Sequence, residues 1–272
     1  MIDRSDPKVQ KWIKYCAIAF AAWLAISILI GIVSAVGSVF GIFFNDPTLD
    51  EIKTYDISAD ITELDIEISA ADFTVEYGDK FCVESNLRNL DVKEKGKTLV
   101  IEDDNKFGGN YNDATLTLII PEGVKFERAE ISTGAGRVRI EGLTAEELEL
   151  TLGAGEVTID SLTATKTASI EGGAGKISVN GGSLRDLEFD MGVGKVTLTS
   201  ALVGTASFDV GIGEFNLNLI GSHEIYTLKL NKGIGNIRVD GADVDNGATV
   251  GTGENKVTVN GGIGAVNVYF YK

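Results

Sequence analysis

A Gly-x-Gly turn recurs along the second half of this chain, its first glycine at 134, 153, 173, 192, 211, 233 and 253, with Asn255 replacing the second glycine in the last copy. Glycine turns of this kind serve three chemistries. A dinucleotide-binding loop needs one Gly-x-Gly-x-x-Gly per domain, between a strand and a helix. Here the pattern returns every 19 to 22 residues and leads into alternating, strand-like sequence. A phosphate loop needs a following Gly-Lys-Ser/Thr, and none occurs. The calcium roll, Gly-Gly-x-Gly-x-Asp-x-apolar-x, is the closer rival. "GGAGKISVN" (172–180) has its glycines, but Ile177 fills the slot of the ligand aspartate, and every copy is apolar there. Without that carboxylate a hard cation loses an oxygen ligand.

Carboxylates are the second candidate chemistry. Glycoside hydrolysis uses a pair about 5–9.5 Å apart, and Glu130, Glu149, Glu188, Glu171, Asp190 and Asp209 stand at recurring polar positions. They follow the repeat instead of breaking it, without an aromatic platform, so they read as a solvated face. His223, the one histidine, lies in "GSHEIY", where one repeat is about three residues longer. That reads as a bulge. One histidine and two distant cysteines, Cys16 and Cys82, supply neither a zinc set nor a disulfide. No catalytic, cofactor-binding or metal-ligating residue is assigned, no cofactor is expected, and the chain does not read as an enzyme.

The elements that carry the turns are regular. The unit is apolar-x-apolar-x-x-Gly-x-Gly-x-apolar-x-apolar, as in "AEISTGAGRVRI" (129–140), "LELTLGAGEVTI" (148–159) and "LEFDMGVGKVTL" (187–198); the last copy is read as "ATVGTGENKVTV" (248–259). Residues i and i+2 of a strand share a face. Ala129, Ile131, Val138 and Ile140 and their equivalents therefore point inward, while Arg137, Thr158, Ser178 and Lys195 point out. A ladder of mostly charged residues of both signs, Arg137, Glu156, Lys176, Lys195, Glu214, Asn236 and Lys256, follows the turns. A single copy cannot bury its apolar face, so the copies must stack into one core. Parallel crossovers are overwhelmingly right-handed. The expected fold is all-β: a right-handed parallel β-solenoid (β-helix) of 19–20-residue two-strand coils. "LDIEISAADFTVE" (64–76) reads as a worn copy with Ile66, Ile68, Phe73 and Val75 inward. Residues 77–128 read as opening coils with an insertion around 102–113.

The N-terminal end is different. Residues 15–44 contain no charge, a run of thirty that exceeds the roughly 20 needed to span a bilayer. Lys8, Lys11 and Lys14 precede it, and Asp46, Asp50 and Glu51 follow, which places the N-terminus inside the cell. The expected organisation is a cytoplasmic basic tail (1–14), one N-terminal transmembrane helix (15–44), a linker (45–55) and an extracytoplasmic β-solenoid (56–272). Within the solenoid the regular coils occupy 129–259 and a C-terminal cap 260–272. The protein is then a single-pass plasma-membrane protein. Net charge is −16 overall and −18 beyond residue 14. Such a surface repels a polyanion, which excludes nucleic acid as a partner.

"LTLIIPEGV" followed by "ISTGAGRVRIEGL" and further Gly-x-Gly coils, behind one apolar segment, resembles the bacterial putative-adhesin family of β-strand-repeat proteins that carry the domain of unknown function 4097 (DUF4097). The resemblance covers about residues 56–272 and rests on structural motifs. It implies a bacterial cell-envelope location and offers no catalytic residues. The function expected is a non-catalytic, adhesin-like binding or scaffold module, meeting the bilayer through 15–44 and an envelope glycan or membrane protein outside. The alternative is a regulatory or sensory subunit of an envelope-stress system working through a membrane partner; a polysaccharide-active β-helix enzyme is a third reading.

Overall fold

The computed structural model describes residues 49–103 and 113–271. The apolar segment 15–44 and most of the insertion expected around 102–113 lie outside them. Among the described residues no helix is long and apolar enough to cross a membrane.

The chain opens with β1 (Leu49–Asp56), β2 (Glu63–Ala70), β3 (Asp72–Tyr77), β4 (Cys82–Leu87), β5 (Leu90–Lys95), β6 (Thr98–Asp103) and β7 (Thr115–Ile120). Then come β8 (Phe126–Val179), β9 (Gly182–Arg185), β10 (Leu187–Val203) and β11 (Thr205–Ile220). A single 3₁₀ turn, His223–Ile225, leads to β12 (Tyr226–Asn231), β13 (Ile234–Val239), β14 (Ala242–Asp243), β15 (Ala248–Val250) and β16 (Asn255–Tyr271). All sixteen strands join one sheet, and most of its pairings are parallel.

Its register is that of stacked coils. Leu187 pairs with Ala168, Phe189 with Ile170 and Phe208, and Val196 with Ile177 and Phe215. Like columns lie on like, so each inward side chain meets its equivalents above and below. The alternation is strict in β7 and, through Ile68, in β2, where every second residue is buried. Phe189, Phe208 and Phe215 fill the middle of the core, their ring centres 5.1–6.1 Å apart. The worn copy is a full coil: Leu64, Ile66, Phe73 and Val75 pair with Ala129, Ile131, Val138 and Ile140, and all eight are buried.

Four successive coils have a third inward run beyond the two strands expected. Leu143 and Ala145, Leu162 and Ala164, then Leu184 and Leu202 are at most 2 % exposed, and the ladder continues through them. Ser200 also points into this run and is fully buried, its hydroxyl donating to the Gly182 and Ala201 carbonyls at 3.2 Å. A buried hydroxyl needs such partners.

The order of coils in space is not their order in sequence. β6 and β7 form a coil on the outer side of β2 and β3. At the other end β16 enters between β11 and the coil of β12 and β13. Residues 260–271 therefore do not cap the stack. They run through its interior, and "VTVNGGIGAVNV" (257–268) is the true last copy, with Gly262 and Gly264 paired to the positions of Gly211 and Gly213. The 22-residue spacing before Gly233 follows: the link from β11 to β12 must pass the inserted coil, two strand spacings of about 4.8 Å each, and the turn at His223–Ile225 supplies the extra length. Both ends finish in antiparallel strands, β1, β4 and β5 at one and β14 and β15 at the other. Ending a parallel stack this way blunts its free edges.

Candidate binding surface

On their inner side the glycine corners are closed to ligands. At the second glycine of each corner φ is positive, +126° at Gly136 and +147° at Gly155, a region that L side chains avoid. The first glycine is needed for a different reason. A Cβ on Gly153 would stand 2.0 Å from the Gly134 carbonyl oxygen, because successive corners lie directly on one another. The amides that a phosphate would require are held inside the ladder, where Gly194 pairs with Gly175 and Gly213. The space beneath three stacked corners is about 10 Å³, room for one water at most. Asn255, expected to replace a corner glycine, sits elsewhere: its amide accepts from Gly204 N–H and donates to the Ile225 carbonyl.

The carboxylates fall into two columns before the corner. Glu171, Asp190 and Asp209 are in register on adjacent coils. They edge a shallow groove of about 790 Å³ that Asn260 continues. Asn260 Nδ2 donates to Asp209 at 2.8 Å and Asn231 Nδ2 donates to Asn260, also at 2.8 Å. In the other column Arg128 bridges Glu130 at 2.8 Å and Glu149 at 3.8 Å, while Glu188 lies between Ser169 and Ser207. Among the described residues no cluster of three His, Cys, Asp or Glu side chains has metal-binding geometry.

After the corner runs the charge ladder. Asp72–Arg137, Glu156–Lys176 and Lys195–Glu214 pair across adjacent coils at 3.1, 2.9 and 3.1 Å. The hydrogen bond from Lys176, then its charge, holds the Glu156 carboxyl below its ordinary range. Asn216, then Lys195, does the same for Glu214. Lys256 does not belong to this ladder: it pairs with Thr205 and Thr227, and Ala265 takes the position.

One step further from the corner, three consecutive coils carry no charge, and Arg238 continues the first column on the coil beyond them. Thr197, Asn216 and Asn267 form one outward column on three consecutive coils, and Thr199, Asn218 and Tyr269 the next. Beside them Ile220 pairs with Tyr271, at 37 % and 51 % exposure. Asn267 Nδ2 donates to Asn216 Oδ1 at 2.9 Å, Asn216 Nδ2 to Glu214 at 2.8 Å, and Asn218 Nδ2 to Thr199 Oγ1 at 3.0 Å. These bonds fix the amide orientations, while each amide keeps further donor and acceptor capacity. No single stretch of sequence marks this area. Its signal was the column of Asn and Thr ending in tyrosines, which emerges only when residues 257–268 are placed beside 206–217.

His223 is exposed on its short turn, edge-on to Phe270 with ring centres 5.9 Å apart. Cys82 is 6 % exposed in β4, and burial pushes its thiol up.

Residues 56–268 match the Toastrack DUF4097 family, and the chain belongs to it. No curated protein matches the sequence. Among solved structures, a putative adhesin from Bacteroides fragilis is 15 % identical, with 82 % of this chain and 100 % of that one covered at a TM-score of 0.46. A putative adhesin from Parabacteroides distasonis is 16 % identical over 80 % and 97 %, TM-score 0.44. A putative lipid binding protein from the same organism is 19 % identical over 80 % and 96 %, TM-score 0.41.

Proposed function

We propose that the chain is a non-catalytic binding or scaffold module of the bacterial cell envelope: a right-handed β-solenoid displayed outside the plasma membrane behind a single helix at 15–44. The observation that carries this reading is the surface of the stack. Among the described residues the space beneath the corners is filled and the outward columns repeat from coil to coil without a converging set of reactive groups, whereas a catalytic site needs groups aimed at one reacting atom. Long rows of fixed polar side chains are what stacked-coil proteins use to bind extended partners. The uncharged run 15–44 and its lysine-rich flank support the anchor and its orientation.

The test uses the full chain in lipid nanodiscs, mixed with intact bacteria and with purified cell walls. Saturable co-sedimentation is expected. Failure to sediment, together with specific cross-linking to one membrane protein through the 15–44 segment, would favour the regulatory reading instead. Orientation is tested separately, because buried Cys82 is a poor reporter. An exposed cysteine at position 161 (Ser161→Cys) is expected to react with a membrane-impermeant maleimide on intact cells; labelling only after lysis would reverse the topology.

A further inference from the structure

We infer that the rows of Asn216, Asn218, Asn267 and Tyr269 bind a neutral glycan chain, an inference that rests on the binding-module reading above and names its ligand class. Charge argues first. The chain carries −16, yet two columns across three consecutive coils hold no formal charge. Their margins are charges already answered: Lys195 pairs with Glu214, Arg238 with Asp243 at 2.9 Å, and Asp240 accepts from the Phe270 N–H. An anionic ligand would be repelled by the surrounding surface. A cationic one would find its counter-charges in the carboxylate columns on the other side of the corner. A neutral, hydroxyl-rich chain fits the area between.

Hydrogen-bond chemistry argues second. Amides and hydroxyls both donate and accept, which matches sugar hydroxyls that also do both. The rows repeat at about 4.8 Å across the coils and at about 6.6 Å along each strand, so a polymer meets equivalent groups along its length. Tyr269 and Tyr271 add flat rings with a polar tip, suited to the apolar face of a pyranose. The Asn267–Asn216 and Asn218–Thr199 hydrogen bonds hold the side chains in place before any ligand arrives. Pre-organisation lowers the ordering cost of binding.

The experiment titrates the full chain in nanodiscs with chitohexaose, cellohexaose and maltohexaose, with oligogalacturonate as the acidic comparison, and measures cell-wall co-sedimentation on the same preparations. Tyr269→Ala removes a ring, Asn218→Asp inserts one charge at nearly constant volume, and Glu171→Gln changes the opposite side of the corner. The expected result is saturable binding of at least one neutral hexasaccharide, weakened about tenfold or more by Tyr269→Ala and by Asn218→Asp, and unchanged in Glu171→Gln. Melting temperatures identify a Tyr269→Ala chain that has failed to fold, in which case Asn218→Asp decides. Cell-wall binding that survives both substitutions, or binding of no neutral hexasaccharide, overturns the inference and leaves the module reading intact. Absence of any cell-wall binding by the unaltered chain overturns both.

Discussion

Gly155 has a φ of +147°, and a Cβ there would stand 1.8 Å from the Gly136 carbonyl oxygen. Gly155→Ala therefore combines backbone strain with overpacking, each of order 1–3 kcal/mol. We expect a loss of about 3 kcal/mol or more in denaturant unfolding, against under about 0.5 kcal/mol for Ala154→Ser on the exposed residue between the glycines. Equal effects would mean that the corners are not in contact. Tyr226 makes a complementary case. Its buried hydroxyl donates to the Ile220 carbonyl at 2.7 Å and accepts from the Leu202 N–H at 3.2 Å. Tyr226→Phe leaves both backbone groups without that partner and is expected to cost about 1–3 kcal/mol, read from the same unfolding curves. At this scale the sequence was legible for the inward columns and the glycines. It does not show why Gly134 and its equivalents must be glycine, because a carbonyl from the next coil cannot be seen from within one copy.

The charge ladder is the element whose behaviour depends on pH. Glu156 and Glu214 have carboxyls lowered by their partners in the folded chain. A lowered folded pKa contributes stability that is present above the unfolded glutamate value, about 4.3, and lost as pH falls through the folded value. The melting temperature is expected to drop on acidification below that range. In a Glu156→Gln, Glu214→Gln double variant the drop is smaller, and an unchanged slope would show that the ladder carries no such linkage. β16 gives the second prediction at this scale. It pairs with β11 on one side and with β12 and β13 on the other. A chain ending at 254 should therefore lose hydrogen-exchange protection in 226–239 as well, whereas removing a true end coil would leave its inner neighbour protected. The sequence concealed this insertion. "ATVGTGENKVTV" imitates a coil at the familiar spacing, while the real copy at 257–268 begins its corner 29 residues after Gly233, across a link that carries the antiparallel strands β14 and β15.

For the whole molecule, the insertion of β16 at one end and the placing of β6 and β7 outside β2 and β3 at the other make both end coils internal to the chain. The uncharged rows exist only because residues 267 and 269 lie 51 positions from their partners 216 and 218. This is why the candidate surface was hidden when the fold class was not: strand period and glycine recurrence are local, whereas the surface is built across an excursion that no local pattern announces. The central claim is that binding lies in outward side chains carried by a closed, non-catalytic stack. Its most direct test is cell-wall co-sedimentation of the full chain in nanodiscs, with the melting temperature recorded beside each value. Asn218→Asp is expected to weaken binding without moving the melting temperature, while Glu171→Gln, Asp190→Asn, Asp209→Asn and Glu188→Gln each leave binding within about threefold. Loss of cell-wall binding or of a wall-degrading activity on changing any one of those four carboxylates, in a chain that melts normally, would contradict the account.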